Sequence, residues 1–416
     1  MSMGAEHEYF DELETRDPEQ RRTAQFEALP KQIAYAQRHS PAFGRILSGI
    51  NGADIITPEA LAQLPITRKS ELVELQRQAP PFGGLATVQP GKVAKIFSSP
   101  GPIYEPEAHR RDYWRVARAL FAAGFREGDL IYNTFSYHLT PAGSMVETGA
   151  HALGCAVVPG GVGQTELQLQ AIVDLRPDGY VGTPSFLKIL LAKGNETGAD
   201  MSSLRKAEVS GEAFPLSLRN EFKDHGIETL QSYITADLGL IAYESPAREG
   251  MIIDEGVIVE FVRPGTGDVV AEGDIGEVVV TTFNPEYPLI RFATGDLSAV
   301  MPGLSPCGRT NLRIKGWLGR ADQTTKVRGM FVTPAQVAQI TKRHPEIKKA
   351  RLIVDRDDVK DTMTLHCEVE GKSGQLAQTI TNTMREVCKL RGEVCFVATG
   401  SLASDGKVID DIRKYD

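Results

Sequence analysis

The residues of this chain most able to do chemistry lie in two neighbouring segments of its second half. Residues 276–296 read GEVVVTTFNPEYPLIRFATGD, and residues 319–329 read GRADQTTKVRG. In the first segment a β-branched run ends in a proline-containing turn and then resumes, which predicts Arg291 and Asp296 at strand ends. A carboxylate at such a position can accept hydrogen bonds from the hydroxyl groups of a ligand. An edge hairpin with two surface charges explains the first segment equally well.

Further candidates follow the strands that the pattern predicts between residues 113 and 203. Helices and strands alternate there, with a helix over 114–121 and strands over 129–135, 156–159 and 180–182, which favours a parallel sheet covered on both faces. Ligands bind beyond the carboxyl ends of such strands. Those ends carry Phe135, Tyr137, His138, Gly160, Gly161, Thr183 and Ser185. An ordinary loop histidine is the simpler interpretation of His138.

A short strand running into a small-residue turn, VAKIFSSPG at residues 93–101, is the first candidate phosphate site. Backbone N–H groups of such a turn can point at an anion without obstruction by side chains. The potential donors are Ser98, Ser99 and Gly101, whereas Pro100 and Pro102 each lack an N–H group. An ordinary turn is the simpler alternative.

Two charged residues outside these segments complete the set. Asp237, in ITADLG, follows a strand-like start and could hold a divalent cation that carries phosphate oxygens, or could equally cap a helix. Lys407, in SDGKVIDD, lies on a glycine-containing turn near the end of the chain, where a lone lysine is usually a solvated charge.

The remaining elements are predicted from their spacing. Residues 6–49 look like packing helices with one apolar stripe, formed by Phe10, Leu13, Phe26, Leu29, Ile33 and Ala36. In PITRKSEL, from residue 65, Thr67 or Ser70 could open a helix. Residues 256–282 suggest a small antiparallel β unit, and the chain after residue 322 suggests an α+β domain.

Composition limits the class of protein. The 416 residues carry a net charge of −8 and no basic tail, which argues against a nucleic-acid partner bound by bulk phosphate neutralisation. No apolar run approaches the about 20 residues that span a membrane. Five scattered cysteines fit a reducing compartment better than a disulfide framework, so a cytoplasmic location is expected.

Six segments occur in one fixed order along the chain. They are GGVGQTELQLQ with TPSF after it, SGEAF, YITADLG, PLIRFATGDL, GRADQTTKVRG and SDGKV. Together they resemble the adenylate-forming superfamily, the AMP-forming acyl- and aryl-CoA synthetases, and within it the phenylacetate-CoA ligase branch. The resemblance implies a large α/β domain, residues 1–321, with parallel or mixed sheets covered by helices and a small β unit. It also implies a small mobile α+β domain, residues 322–416.

The resemblance assigns roles to the matching positions. Asp296 would bind the ribose hydroxyls, Asp237 would contact the Mg²⁺ that accompanies ATP, Asp322 would be the hinge, and Lys407 would enter the site during adenylation. The nucleotide-binding positions are Ser98, Ser99, Gly101, Ser210, Gly211, Glu212, Ser232, Tyr233, Ile234, Asp296 and Arg320. The strand-end argument and the resemblance together place the acid-binding pocket at Tyr137, His138, Ala142, Gly143, Gly160 and Gly161.

The chain departs from the family pattern at three places. Its phosphate segment, FSSPGPIYEP, has no threonine or lysine and contains three prolines. Ile234 and Ala236 replace a glycine and a hydroxyl residue of the YGxxE segment, in which Asp237 replaces the glutamate. Some relatives carry a Cys/His zinc site, whereas the matching positions here are Ser245, Ile252, Ser305 and Cys307. Since one thiolate cannot form a tetrahedral site, no structural zinc is expected.

The function that the resemblance implies is a two-step ligase reaction. ATP would activate a carboxylic acid, aromatic or arylacetic, to an acyl-adenylate, and CoA would then take the acyl group, giving acyl-CoA, AMP and pyrophosphate. Two alternatives stay open: a stand-alone adenylating enzyme that transfers to a carrier protein or an amine, and a nucleotide-binding protein that has lost catalysis. A homodimer is compatible with the sequence; neither a nucleic acid nor a membrane is expected as partner.

Overall fold

The chain divides into two compact units, Met1–Leu318 and Gly319–Asp416. The structure is a computed structural model, and it describes residues 8–263, 267–321, 325–328, 330–332, 334–357, 360–369, 374–402 and 408–413. The sequence predicts the boundary between residues 321 and 322, and Asp322 itself lies outside the described residues. Each unit has a hydrophobic core of its own.

The helices of the large unit cover its sheets. They are α1 (Pro18–His39), α2 (Pro41–Ile46), α3 (Pro58–Ala62), α4 (Leu72–Gln78), α5 (Ala117–Ala122), α6 (Ala142–Leu153), α7 (Thr165–Leu175), α8 (Pro184–Thr197) and α9 (Leu216–Asp224). The side chain of Asp17 caps the first turn of α1, and the buried face of that helix carries Phe26, Leu29, Ile33 and Ala36, as predicted. Leu13 precedes this helix and is 41% exposed, so it does not extend the stripe.

The strands of the large unit form two sheets and a separate hairpin. In chain order they are β1 (Thr67–Arg68), β2 (Lys95–Ser99), β3 (Ile103–Glu107), β4 (Leu130–Asn133), β5 (Ala156–Pro159), β6 (Gly179–Gly182), β7 (Lys206–Val209), β8 (Glu228–Thr235), β9 (Gly239–Glu244), β10 (Met251–Ile253), β11 (Val257–Val262), β12 (Gly276–Thr282), β13 (Phe292–Ser298), β14 (Val300–Met301) and β15 (Arg313–Ile314).

The larger sheet has the order β14-β15-β10-β9-β8-β7-β6-β4-β5 among the described strands. The five strands from β5 to β8 in this order run parallel, and β9, β10, β15 and β14 continue antiparallel. The second sheet has the order β1-β13-β12-β11, in which β11, β12 and β13 are antiparallel. This confirms the predicted class, an α/β unit with mixed sheets and a smaller β portion.

Two local predictions are wrong for reasons of backbone geometry. The helix predicted from residue 114 begins only at Ala117, because Arg115 has a φ of 63°, a left-handed conformation that a helix cannot contain. Neither Thr67 nor Ser70 opens a helix. Instead Thr67 pairs in parallel with Phe292 of β13, and a 3-10 turn, Lys69–Glu71, precedes α4.

The small unit has the predicted α+β composition. Its strands are β16 (Gly319–Arg320), β17 (Thr325–Val327), β18 (Met330–Val332), β19 (Ile347–Asp357), β20 (Lys360–Val369), β21 (Glu393–Val397) and β22 (Ile409–Asp411), and its helices are α10 (Pro334–Arg343) and α11 (Gly374–Cys388). A sheet of order β21-β20-β19-β22 forms its centre. In the part of the chain that the structure describes, no helix has the length and apolar character needed to cross a membrane.

Candidate active site

Asp296 is held in a defined orientation on β13. Its side chain is buried, Tyr233 donates its hydroxyl to Oδ2 at 2.8 Å, and the indole Nε1 of Trp317 donates to Oδ1 at 3.0 Å. Each carboxylate oxygen has two lone pairs, so a carboxylate can accept hydrogen bonds from several donors at once. The structure therefore brings together two predicted nucleotide-site residues, and it adds Trp317, which sequence reasoning missed.

Further predicted nucleotide-binding residues also meet, because β7 and β8 are parallel neighbours. Ser210, directly after β7, donates its hydroxyl to the carbonyl of Ser232 on β8 at 2.8 Å. Gly211 has a φ of 81°, and a Cβ there would approach nothing closer than 3.9 Å, so space lies open beside it. The side chain of Glu212 is exposed and accepts from the Ser185 N–H group at 3.4 Å. Ile234 follows in β8 and is partly buried.

The predicted phosphate segment is the tip of the β2–β3 hairpin. Ser98 donates its N–H group to the carbonyl of Leu139 at 2.8 Å, so this amide is already used. The hydroxyl of Ser99 is buried and donates to Oε1 of Glu105 at 2.5 Å. Gly101 is exposed at the turn. This hairpin presents fewer N–H donors to an anion than a glycine-rich loop would.

Asp237 lies in the turn between β8 and β9, and its partner is a lysine. Lys69 Nζ lies 2.5 Å from Asp237 Oδ2, while Oδ1 of the same carboxylate is buried without a hydrogen-bond partner among the described residues. The charge of Asp237 also acts on Glu105: burial first, and then this neighbouring charge, raises the pKa of Glu105 above its usual range. We call Glu105 and Asp237 the carboxylate pair.

Two predicted pocket glycines make room for the protein's own rings. A Cβ on Gly143 would lie 2.9 Å from the ring of Tyr137, and a Cβ on Gly160 would lie 2.9 Å from the ring of Tyr132. The Tyr137 hydroxyl accepts from Nδ2 of the buried Asn133 at 2.8 Å. Part of the space that these glycines leave is therefore occupied by tyrosine.

The other predicted pocket residues are His138, Ala142 and Gly161. Among the described residues, no hydrogen bond joins these three to one another. His138 is exposed, and its backbone N–H group donates to the hydroxyl of Ser136 at 3.1 Å. Ala142 begins α6, and Gly161, with a φ of 66°, follows β5. These positions remain predictions from the sequence.

Arg291, the other charge of the opening segment, is structural. It is buried and has a φ of 46°. Its Nη1 donates to the carbonyls of Ala62 and Leu64, both at 2.6 Å, and its Nε pairs with Glu260 at 3.0 Å. These bonds fix the loop before β1 against β13, and that loop leads directly to Lys69.

Three predicted roles belong to the other unit. Arg320 ends β16 and is partly buried, whereas Asp322 and Lys407 lie outside the described residues. Their roles as nucleotide contact, hinge and adenylation lysine stay predictions.

Three of the four positions that match the zinc site of some relatives, Ser245, Ser305 and Cys307, lie in one hydrogen-bonded group with Arg309. Ser305 Oγ lies 3.1 Å from the thiol of Cys307, and Arg309 Nη1 donates to that sulfur at 3.6 Å. Burial alone would raise the pKa of Cys307, but hydrogen bonds from Ser245, Ser305 and Arg309 hold it below its usual range. The described residues contain no cluster of three or more His, Cys, Asp or Glu side chains that could hold a metal ion.

Sequence reasoning missed Lys69 and Glu105, and one signal could have found Glu105. In a hairpin, alternate residues share a face. Phe97, Ser99, Ile103, Glu105 and Glu107 are all buried on the inner face of the β2–β3 hairpin. A charged residue at an inward position of such a pattern is costly unless it is paired, which marks it as a candidate for function.

Solved structures define the class of protein to which this fold belongs. A 2-hydroxyisobutyryl-CoA ligase, determined in complex with 2-HIB-AMP and CoA, has a TM-score of 0.82 and 21% identity, covering 100% of this chain and 94% of its own. An amide bond synthetase from Marinactinospora thermotolerans has a TM-score of 0.54 and 16% identity, covering 92% and 93%. The fold is that of the adenylate-forming enzymes.

Curated relatives identify the family within that class. A phenylacetate-coenzyme A ligase from Thermus thermophilus is 32% identical over 379 residues, covering 87% of this chain and 84% of its own length. The corresponding ligase from Aromatoleum evansii is 30% identical over 379 residues with the same coverage, and that from Pseudomonas putida is 28% identical over 430 residues. No protein-family model matches the chain. The chain belongs to the phenylacetate-CoA ligase family.

Proposed function

We propose that this protein activates a carboxylic acid with ATP to an acyl-adenylate and transfers the acyl group to CoA, releasing AMP and pyrophosphate. An aromatic or arylacetic acid is the proposed substrate. The observation that carries the proposal is the arrangement around β8. Tyr233 on this strand bonds Asp296, Ser232 accepts from Ser210, and Asp237 follows in the next turn. These contacts support a nucleotide site beside β8 with Asp296 and Asp237 as its proposed carboxylates.

The chemistry explains why these residues are needed. A carboxylate attacks the α-phosphate of ATP, so two anions must approach, and the transition state gains from fixed positive charge and hydrogen-bond donors. Asp296 would bind the ribose hydroxyls and so fix the distance between the nucleotide and the acid. The adenylate is a mixed anhydride that water hydrolyses, so a site that excludes water protects it.

The residues present fit a magnesium ion. Asp237 has one buried oxygen without a partner among the described residues, and carboxylate oxygen is the ligand that Mg²⁺ prefers. When bound, Mg²⁺ reduces the negative charge on the phosphate oxygens. Asp237 and Asp296 would then orient the nucleotide from opposite ends.

Pyrophosphate exchange into ATP, measured with a library of carboxylic acids, tests this function and names the acid. We expect exchange stimulated by one class of acids, and CoA-dependent release of AMP with the same acids. Exchange that is not followed by CoA-dependent release of AMP would instead favour transfer to a carrier protein or an amine. No exchange with any acid would favour a nucleotide-binding protein without catalysis.

Lys407→Ala tests the role that the resemblance gives to this lysine. Loss of one transition-state donor should lower adenylation by about 10²-fold or more. Thioester formation from a preformed adenylate should be spared, because that half-reaction does not need this donor. Equal loss in both half-reactions contradicts the assignment.

Location and assembly complete the proposal. A cytoplasmic location is supported by the five cysteines, all of which are free. The proposed partners are the acid, ATP and CoA, without nucleic acid or membrane. A homodimer is the proposed assembly, and sedimentation of the purified chain decides between dimer and monomer.

A further inference from the structure

Each member of the carboxylate pair uses one oxygen and leaves the other without a partner. Glu105 is 0% exposed and Asp237 is 3% exposed. Oε1 of Glu105 accepts from Ser99, and Oδ2 of Asp237 contacts Lys69. Neither Oε2 of Glu105 nor Oδ1 of Asp237 has a hydrogen-bond partner among the described residues. A buried polar atom without a partner costs roughly 1–3 kcal/mol, and more if it is charged, which a fold tolerates mainly where a ligand later supplies the contact.

Another buried glutamate on the same strand, β3, has hydrogen-bond or ion-pair partners for both of its carboxylate oxygens. Glu107, two residues after Glu105, is also buried, at 3% exposure. Its Oε2 accepts from Trp114 Nε1 and from the hydroxyl of Ser144, both at 2.7 Å, and its Oε1 lies 3.1 Å from Lys95 Nζ. The hairpin therefore satisfies one inward glutamate completely and leaves the other half-satisfied.

The chemistry of the unpartnered oxygens selects the class of ligand. Two carboxylates that act on each other electrostatically, with one ammonium group beside them, attract further positive charge. Hard oxygen donors suit a hard divalent cation such as Mg²⁺ or Mn²⁺. The buried hydroxyl of Tyr287, on which both charges act, lies near the same point and offers a further oxygen.

Lys69 occupies the approach to this point. Its side chain is 26% exposed, whereas that of Asp237 is 1% exposed, so the lysine lies on the solvent side of the pair. The parallel pairing of β1 with β13 places it there. The ammonium group of Lys69 thus neutralises the negative charge of Asp237, which a metal cation would otherwise neutralise.

We propose that Glu105 joins Asp237 as a second oxygen ligand for the divalent cation that accompanies the nucleotide, and that Lys69 holds Asp237 in the absence of that cation. The inference rests on the proposed function for the nucleotide. The β2–β3 hairpin has no lysine or threonine in its predicted phosphate segment. In this proposal the hairpin instead supplies a ligand for the cation that accompanies the phosphates. Asp237 is the carboxylate already expected there, and Glu105 is the new residue.

Mn²⁺ is a suitable probe, because the electron paramagnetic resonance signal of the free ion measures binding directly. We would titrate the full chain with Mn²⁺, with and without α,β-methylene-ATP and without any carboxylic acid. Glu105→Gln keeps the shape and removes the anionic ligand, so the Mn²⁺ dissociation constant should rise by about 10-fold or more. Glu107→Gln, the matched control on the same strand, should leave it within about twofold, because its oxygens are already satisfied. Lys69→Met should tighten binding of Mn²⁺ alone, since the competing ammonium group is gone.

Unchanged Mn²⁺ affinity in Glu105→Gln overturns the inference. A rise in melting temperature in the same variant, again with unchanged affinity, would show that the buried Glu105 carboxylate costs stability without binding the cation. If Glu105→Gln does not fold, Lys69→Met decides, and unchanged affinity there also overturns the inference. Because no acid is present, a wild-type chain that binds Mn²⁺ through Glu105 but shows no pyrophosphate exchange contradicts the proposed function alone.

Discussion

Two groups of buried charge in the large unit differ in how completely their oxygen atoms are used. One is the carboxylate pair, Glu105 on the β2–β3 hairpin and Asp237 in the turn between β8 and β9. The other, which we call the amino-terminal network, consists of Glu14, Asp254 and Glu255 together with Arg16, Arg21, Arg115, Arg118 and Arg309. Both groups contain buried carboxylates, yet of the two, within the part of the chain that the structure describes, the carboxylate pair alone leaves carboxylate oxygens without hydrogen-bond partners.

In the amino-terminal network each carboxylate has several donors. Oε1 of Glu14 accepts from the Tyr243 hydroxyl at 2.5 Å and lies 3.1 Å from Arg309 Nε, while Oε2 accepts from the Phe10 N–H group at 2.8 Å. Asp254 contacts Arg115 at 2.8 Å and Arg118 at 3.3 Å. None of these carboxylate oxygens is among the buried atoms of the described residues that lack a partner.

The difference teaches how to separate structural from functional charge. A network whose carboxylate oxygens all have donors has no oxygen left for a cation, and its members hold together segments that are far apart in the chain. A pair with vacant lone pairs retains that capacity at the expense of stability. Substitutions should therefore have opposite effects in the two places.

The largest effect is expected from Glu14→Ala. It leaves the buried guanidinium group of Arg309 without its carboxylate partner and removes one of the carboxylates that face Arg118, which should lower the free energy of unfolding by about 3–5 kcal/mol. Urea unfolding measures this. Glu12→Ala, in the same 3-10 turn but exposed, is the control and should stay within about 0.5 kcal/mol. A similar loss in both variants would mean that the turn itself, and not the ion pairs, carries the stability.

An intermediate effect is expected from Glu208→Gln on β7, a buried carboxylate that has no cation partner among the described residues and that lies beside the Ser232 hydroxyl. Burial raises the pKa of Glu208 from 4.5 to about 8. Between these values the unfolded chain is ionised and the folded chain holds the proton, so stability falls as pH rises and the loss is complete above about 8.

Glu208→Gln should remove on the order of 1–3 kcal/mol of this pH-dependent loss. Urea unfolding at pH 5 and pH 9 gives the free energy of unfolding that each protein loses between the two pH values. The difference between the losses of the wild type and the variant is the predicted quantity. Glu196→Gln, whose side chain is 68% exposed, should leave the pH profile unchanged. A wild-type profile that does not decline over this range would show that Glu208 has a partner in solution.

The smallest effect is expected from Tyr233→Phe, next to a carboxylate that is partly satisfied. Asp296 would lose one donor and keep Trp317, so its orientation toward the ribose should weaken but persist. The cost of one hydrogen bond, about 0.5–1.5 kcal/mol, predicts a two- to tenfold rise in the KM for ATP. Isothermal titration with AMP checks the same change without turnover. A change in kcat alone would place Tyr233 elsewhere in the reaction.

Local elements could be read from the sequence where pattern and boundary signals agree. The strand Ala156–Pro159 lies at the predicted residues, because glycines flank a short apolar run there. The start of α5 could not be read, since the positive φ of Arg115 depends on its bonds to Asp254 and to the carbonyls of Leu238 and Leu240.

Contacts between residues that are far apart in the chain could not be predicted from the sequence. Lys69 and Asp237 are 168 residues apart, and they meet because β1 pairs with β13 in one register. A shift of one residue would turn Lys69 to the other face. The resemblance to a family supplied Asp296 and Asp237, but it could not supply Glu105, which lies where this chain departs from the family.

One bond in the hairpin limits how this enzyme could be re-engineered. The N–H group of Ser98 donates to the carbonyl of Leu139, in the loop that carries Tyr137 and His138. Exchanging that loop, which carries predicted acid-pocket residues, for one from a relative would also displace the strand that carries the predicted phosphate segment. Residues 95–107 and 134–143 are therefore better grafted as one cassette than as two independent parts.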